Sequence, residues 1–367
     1  MKIVYVGTMG IPARYGGFET CVEEVATRLS RKGHEIIVYC GYRGSKPQLK
    51  SYKNVQLEYV KCLENKFLDF PFREFASTIG ALSGAADIIH FYGSDAWPFV
   101  FLPRVVSSKT VLTLDGMVWK RASYPMWVRK TLSFTARFAL YLPHATIVDS
   151  KSVQEWYRRS FNKSPIYVPY GANIDLSKPD ETILLKNDLR NKKYVLFVGR
   201  LVYEKGVHYL VEAFKQLKTD FELVIIGGDP YNSEYEQILR KNANRNTKFL
   251  GYVYGKDFEN ICKGAYLYVT PSTLEGTSPA LLTAMALGKC VLVSDIPENL
   301  ETIGNAGFSF RHADSEDLKE KLQYLFKNPC LVEQMQEKAV THVKKNYDWD
   351  IVTIRLEKIY SSLTYKQ

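Results

Sequence analysis

The chain has 367 residues, 46% hydrophobic and 24% charged, with a net charge of +10, a balance that excludes a disordered, fibrous or integral membrane protein. Its length exceeds what one hydrophobic core serves and predicts two domains, over 1–170 and 171–367. The excess charge belongs to the first half, with 23 Lys and Arg against 13 Asp and Glu through Tyr170 and 26 against 26 beyond it, which points to a polyanionic partner, a membrane surface or nucleic acid.

KIVYVG reads as a first strand, too short for the apolar core of a signal peptide. The segment after it places Phe18, Val22, Val25, Ala26 and Leu29 on one helical face before Gly33. EIIVYC, VQLEYV, DIIHFY, KTVLTL, ATIVDS and PIYVP follow as strands separated by helical spacing, the pattern of a doubly wound parallel sheet. After a polar connection the pattern restarts with YVLFVG, FELVIIG, TKFLG, AYLYVTP, KCVLVSD and GFSF. The tail from about Asp314 is helical and is expected to belong to the second domain. The fold class expected is therefore α/β, two Rossmann-like domains whose carboxyl strand edges can face each other across a ligand cleft. The six cysteines lack the close spacing of a zinc or dithiol motif and suit a reduced cytoplasm, with Cys21, Cys40 and Cys290 as small buried hydrophobes.

The strongest local motif is GRLVYEKGVHYLVEAF. Gly199 and Gly206 permit backbone turns, and Arg200 and Lys205 place a guanidinium fork and an ammonium at a strand end beside a helix amino terminus, as a diphosphate requires. Alone, the pair could equally be solvated loop cations. Seventy residues on, PSTLEGTSPALLTAMALGK carries Glu275, then Gly276, Thr277 and Ser278 ahead of a helix opening at Pro279, with capping chemistry that exposes a second helix amino terminus. The first loop, GTMGIPARYGGFET, sets Gly16 and Gly17 before a helix, either as a phosphate turn or as a plain helix entry. It lacks GxGxxG spacing, and no acid ends the second strand, which argues against a dinucleotide oxidoreductase.

With these two segments of its second half the chain resembles the retaining, GT-B-fold glycosyltransferases of family 4. The resemblance implies a first domain that binds the acceptor and a second that binds a nucleotide sugar. It implies that Arg200 and Lys205 neutralise the donor diphosphate, that Glu275 contacts the transferred sugar, and that Gly199 and the Gly276–Thr277–Ser278 turn lie near sugar and phosphates. The family's second Glu, eight positions after the first, holds the donor ribose; here Thr283 stands in that place. IPARYGGFET resembles the subset that includes bacterial rhamnosyltransferases of polysaccharide assembly, which implies rhamnose as the sugar and Gly16 and Gly17 close to the donor phosphates. Retention implies front-face attack with no carboxylate nucleophile, the leaving diphosphate taking the acceptor proton; the chain lacks an Asp-x-Asp pair in the right setting, so no catalytic metal is implied, and no cofactor is expected.

VLTLDGMVWKRASYP adds Asp115 at a strand end, either hydrogen-bonding a sugar hydroxyl or capping a turn. Trp119, Lys120 and Arg121 follow, resembling the Asp/Gly-x-x-Trp-Lys-Arg run of the same subset; this is either an exposed acceptor site for a sugar face or lipid-linked phosphate, or a half-buried aromatic beside solvated charges. Segment 95–141 mixes aromatic and basic residues, Trp97, Trp127, Arg129, Lys130 and Arg137 among them, and predicts either attachment to the inner face of an anionic membrane or a core helix with a charged outer side. Two other readings compete. A nucleic-acid-binding protein would account for the basic half but not for the diphosphate motifs, so no nucleic acid partner is expected. A non-hydrolysing sugar-nucleotide epimerase would need a histidine in the cleft, and only His90 ends a strand.

Overall fold

The computed structural model describes residues 1–13, 16–114, 116–117, 119, 125–229 and 234–364. The chain divides into two units: Met1–Trp119, Met126–Tyr170 and Trp349–Gln367 form the first, and Gly171–Asp348 lies in the second. Both are parallel α/β sheets, as the alternation of strands and helices predicts.

The first unit is built on β1 (Lys2–Val6), β2 (Glu35–Tyr42), β3 (Ser51–Tyr52), β4 (Val55–Lys61), β5 (Ile88–Tyr92), β6 (Lys109–Leu114), β7 (Ala145–Val148) and β8 (Ile166–Tyr167). Their order is β3-β4-β2-β1-β5-β6-β7-β8, and only the β3–β4 pair is antiparallel. Strands buried on both faces need continuous apolar runs, and β5, IIHFY, is buried throughout. The helices are α1 (Gly17–Arg31), α2 (Lys66–Ser83), α3 (Met126–Tyr141) and α4 (Lys151–Phe161).

The second unit holds β9 (Tyr194–Val198), β10 (Glu222–Ile226), β11 (Thr247–Gly251), β12 (Leu267–Thr270), β13 (Cys290–Ser294) and β14 (Phe308–Phe310) in the all-parallel order β11-β10-β9-β12-β13-β14. Its helices include α5 (Glu181–Lys186), α6 (Val207–Gln216), α7 (Glu234–Asn242), α8 (Gly255–Gly264), α9 (Pro279–Ala286), α10 (Pro297–Ile303), α11 (Ser315–Lys327) and α12 (Pro329–Asn346). The strand order reverses between β9 and β12, and such a switch point leaves a crevice at the carboxyl strand ends where open α/β sheets receive ligands.

One expectation is corrected. The last helix, α13 (Trp349–Thr364), belongs to the first unit rather than to the second domain. It buries Trp349, Val352, Leu356 and Tyr360, and its acids meet side chains of α1 and the turn after it: Arg28 lies 2.8 Å from Asp350, Lys32 pairs with Glu357, and His34 Nε2 is 2.9 Å from Glu357. Beneath it the Tyr360 hydroxyl lies 3.3 Å from the Tyr5 hydroxyl and 2.6 Å from His90 Nδ1, while His90 Nε2 lies 2.7 Å from Thr113 Oγ1. Burial depresses the His90 pKa to about 3. A neutral imidazole enclosed in this way is a packing element, so the histidine that an epimerase would need is spent on the core.

Candidate active site

The two motif segments leave the two switch-point strands of the second sheet. β9 runs into Gly199 and Arg200, and β12, its neighbour through Leu267 and Val195, runs into Pro271 and Ser272. A short 3-10 turn, Tyr203–Lys205, precedes α6 and ends at Gly206 with φ 65°. A Cβ on Gly206 would stand 2.0 Å from the Pro271 carbonyl oxygen, so only glycine lets the first loop close onto the second. The closure is fixed by the Thr273 amide, which donates to the Glu204 carbonyl at 2.9 Å. Gly227, after β10, completes the glycine edge: a Cβ there would lie 1.8 Å from the Gly199 carbonyl oxygen.

That closure sets Lys205 on Glu275 as an ion pair, with the Glu275 side chain 8% exposed. The Ser272 hydroxyl donates to the same carboxylate oxygen, Oε1, at 2.7 Å. Among the described residues Oε2 has no partner, and no carboxylate pairs with Arg200, which leaves one acceptor oxygen and one guanidinium open at the switch point. Arg200 acts on Tyr252, whose phenol is lifted above its ordinary value by burial and by Asp229 and Glu236, with Arg200 opposing them.

Behind Glu275 runs a chain of buried polar groups. The Ser294 hydroxyl donates to the Ser272 carbonyl, and Asn299 Nδ2 donates to Ser294 Oγ at 2.9 Å. Sequence reasoning missed Ser272, Ser294 and Asn299; the one available signal was a serine three residues before the Glu. α9 opens as expected, with Pro279 in its first turn and the Ser278 hydroxyl accepting from the Leu281 amide at 3.4 Å. Gly276 and Thr277 lead into it, and Thr283 lies half-buried within it.

The first unit treats its candidates differently. Gly16 caps α1 with φ 103° and Gly17 opens the helix. The space above them is taken by Glu19, whose Oε1 accepts from the Met9 amide at 2.9 Å and whose carboxyl is raised by burial. Trp119 is not the exposed platform that an acceptor site would use. Its ring is 7% exposed and lies in the core, centred 4.3 Å from Trp156 and 6.0 Å from Tyr157, because an indole gains more from apolar contact than from water. Asp115, Lys120 and Arg121 lie outside the described residues.

Ser272→Ala should lower turnover at least about tenfold, since a hydrogen bond to a charged group is typically worth ~1.5–3 kcal/mol. Ser272→Thr should restore it, and steady-state kinetics with thermal melts separate this from misfolding. Equal turnover in Ser272→Ala and the native protein would remove Ser272 from the positioning of Glu275.

Two parallel-sheet units, with a cation pair, a carboxylate and two helix amino termini at the switch point of one, define an α/β enzyme of the GT-B class. The family pattern "Glycosyltransferase Family 4" matches residues 15–175 and "Glycosyl transferases group 1" matches residues 181–342. With both halves matched, the chain belongs to the group 1 and family 4 glycosyltransferases. An uncharacterized glycosyltransferase of Methanocaldococcus jannaschii is 26% identical over 98% of each chain. The N,N'-diacetylbacillosaminyl-diphospho-undecaprenol alpha-1,3-N-acetylgalactosaminyltransferase of Campylobacter jejuni is 26% identical over 92% of this chain and 88% of its own. D-rhamnosyltransferase WbpZ of Pseudomonas aeruginosa is 27% identical over 49% of each chain. In fold, the chain is similar to sucrose-phosphate synthase from Thermosynechococcus elongatus (TM-score 0.83, 18% identity, 99% and 98% covered). It is likewise similar to Anabaena HepE in complex with UDP-glucose (TM-score 0.81, 18% identity, 99% and 100% covered).

Proposed function

We propose that the protein transfers a hexosyl residue from a nucleoside-diphosphate sugar to a saccharide or lipid-linked saccharide, with retention, during cell-surface polysaccharide assembly at the cytoplasmic side of a membrane. The observation that carries this reading is Glu275, held through Oε1 by Lys205 and Ser272 with Oε2 unpartnered among the described residues, on the loop after β12, the neighbour of the strand that leads into Arg200. A sugar hydroxyl can donate to the free oxygen while Arg200 and Lys205 meet the diphosphate, the lysine turning one of its three N–H bonds from Glu275 to the anion. In the step itself the bond from the anomeric carbon to the diphosphate oxygen breaks and the acceptor oxygen bonds to that carbon on the same face. The acceptor proton passes to the departing diphosphate, whose growing charge the two cations stabilise. No metal or cofactor enters this scheme. The Anabaena protein with UDP-glucose supports a nucleotide-sugar donor, and the Campylobacter enzyme supports a lipid-linked acceptor. Rhamnose as the sugar rests on the IPARYGGFET string and the Pseudomonas relative. The basic first half, with no nucleic acid assigned to it, supports a membrane-side location.

Thermal-shift measurement with UDP, GDP, dTDP and ADP tests the donor class, because ligand in excess of its Kd raises Tm in proportion to the logarithm of the excess. Absence of any shift would reject the donor site. Thr283 offers one neutral hydroxyl where a carboxylate could accept from both ribose hydroxyls, so the 2′-hydroxyl should add little. The expected result is a UDP-to-dTDP affinity ratio near one or slightly favouring dTDP, with Thr283→Glu moving it toward UDP at least about fivefold. A native protein that already prefers UDP tenfold, unchanged by the substitution, would overturn the role of Thr283.

A further inference from the structure

Lys205 is carried by a 3-10 turn of three residues, closed on itself by the Lys205 amide donating to the Val202 carbonyl at 3.0 Å and the Gly206 amide donating to the Tyr203 carbonyl at 2.9 Å. So short a turn does little by itself to fix a lysine side chain. It is gripped from two sides. From the loop after β12, the Thr273 amide and hydroxyl donate to the Glu204 carbonyl at 2.9 and 3.3 Å. From α7 comes Tyr235, a core residue that is 2% exposed.

The Tyr235 ring is centred 4.3 Å from the ring of Tyr203, the first residue of the turn. Its hydroxyl lies at the amino end of α6, 3.3 Å from the His208 amide and 2.7 Å from His208 Nδ1. Lys205 therefore stands between two segments that meet the same phenol. Packing alone would be served by a phenylalanine here. The hydroxyl has a further reason, because the first N–H groups of a helix lack partners within it, and His208 is the second residue of α6. Its amide donates to the phenol oxygen. The phenol proton is then free for Nδ1, which can accept it only from a neutral imidazole whose own proton is on Nε2. Burial lowers the His208 pKa, in keeping with that state. The imidazole in turn packs on Tyr209, ring centres 4.0 Å apart.

We propose that Tyr235, acting with His208, is a positioning residue for the donor diphosphate: it joins the turn to the amino end of α6 and so holds the Lys205 ammonium at Glu275, ready for the anion. This rests on the donor-site reading above and adds to it the groups that orient the lysine. Neither Tyr235 nor His208 is assigned a contact with the ligand. A cation held in place before the ligand arrives spares binding the cost of ordering the turn, which is why a buried phenol can govern the affinity of a group it does not touch.

The test is calorimetric titration of the full-length protein near neutral pH with UDP, GDP, dTDP and ADP, continued with whichever binds the native protein most tightly. Tyr235→Phe keeps the ring and should weaken that nucleotide about five- to tenfold. In a Lys205→Gln background the same substitution should change affinity less than about twofold, because the effect passes through the lysine. A merely structural loosening would weaken binding equally in both backgrounds. His208→Asn, whose side-chain oxygen can accept the phenol proton, should stay within about twofold of the native protein, whereas His208→Ala should match Tyr235→Phe. Thermal melts establish that each variant is folded, and nitrogen NMR of the free native protein should find His208 with its proton on Nε2. Native-like affinity in Tyr235→Phe, an equal loss in both lysine backgrounds, or a His208 protonated on Nδ1 would each overturn the proposal. A native protein that binds none of the four nucleotides would instead reject the donor site on which the proposal rests.

Discussion

Replacing Arg200 or Lys205 with Ala is expected to lower sugar transfer by about two to three powers of ten, because a charge-assisted contact to a developing anion commonly contributes ~2–4 kcal/mol to the barrier. The two variants should differ in stability. No carboxylate pairs with Arg200 among the described residues, so its removal leaves no broken ion pair, whereas removing Lys205 strands a Glu275 side chain that is only 8% exposed. Breaking a buried pair costs more than the pair is worth, because the remaining charge stays desolvated. Lys205→Ala should therefore melt below the native protein, and Lys205→Ala with Glu275→Gln should recover the melting temperature without recovering activity. The activity losses of Lys205→Ala and Glu275→Ala should also combine non-additively, since the two side chains contact each other. Steady-state kinetics beside thermal melts read all of this. Near-native turnover in both single variants would remove the two cations from the reaction.

The largest stability effect is expected at Glu74. Its side chain is 1% exposed, its Oε1 has no hydrogen-bond partner, and burial raises its pKa from 4.5 to about 8 against the opposing charge of Arg73. An acid with a raised folded pKa holds its proton longer in the folded state than in the unfolded one. Stability is therefore complete below about 4.5 and is lost as pH rises toward about 8. At about 1.36 kcal/mol per pH unit, that interval corresponds to on the order of 3–5 kcal/mol. Glu74→Gln carries no charge at any pH and should match the native protein near pH 5 while exceeding it by several kcal/mol near pH 8. All five tryptophans, at 97, 119, 127, 156 and 349, lie in the first unit, so urea unfolding followed by tryptophan fluorescence reports that unit directly. Parallel stability curves for the two proteins between pH 5 and pH 8 would show that Glu74 is solvated or paired.

Much of this molecule is a local property of its chain. Continuous apolar runs such as IIHFY and YVLFV, five residues long and rich in β-branched and aromatic side chains, suit strands covered on both faces, and the turns and helical stripes between them point to parallel sheets. The candidate site was legible for the same reason. Arg200, Lys205 and Glu275 stand at strand ends, and Gly206 marks a position where the backbone must turn left-handed. What local pattern cannot carry is the identity of the surface that meets a side chain. The α13 stripe could have covered either unit; Arg28, Lys32 and His34 opposite its acids, and a buried hydroxyl network for Tyr360, place it on the first. Trp119 stands beside two cations in sequence, yet in space Trp156 and Tyr157 enclose it. The apolar face of α2 points outward because its polar side finds the Leu63 amide and the Thr8 carbonyl, through Asp69 and Arg73, on chain segments distant from the stripe. Likewise Glu275 is held by Lys205, seventy residues earlier, and backed by Ser294 and Asn299 through Ser272. Periodicity sets which residues share a face, and only the packed units decide whether that face meets core, solvent or another molecule.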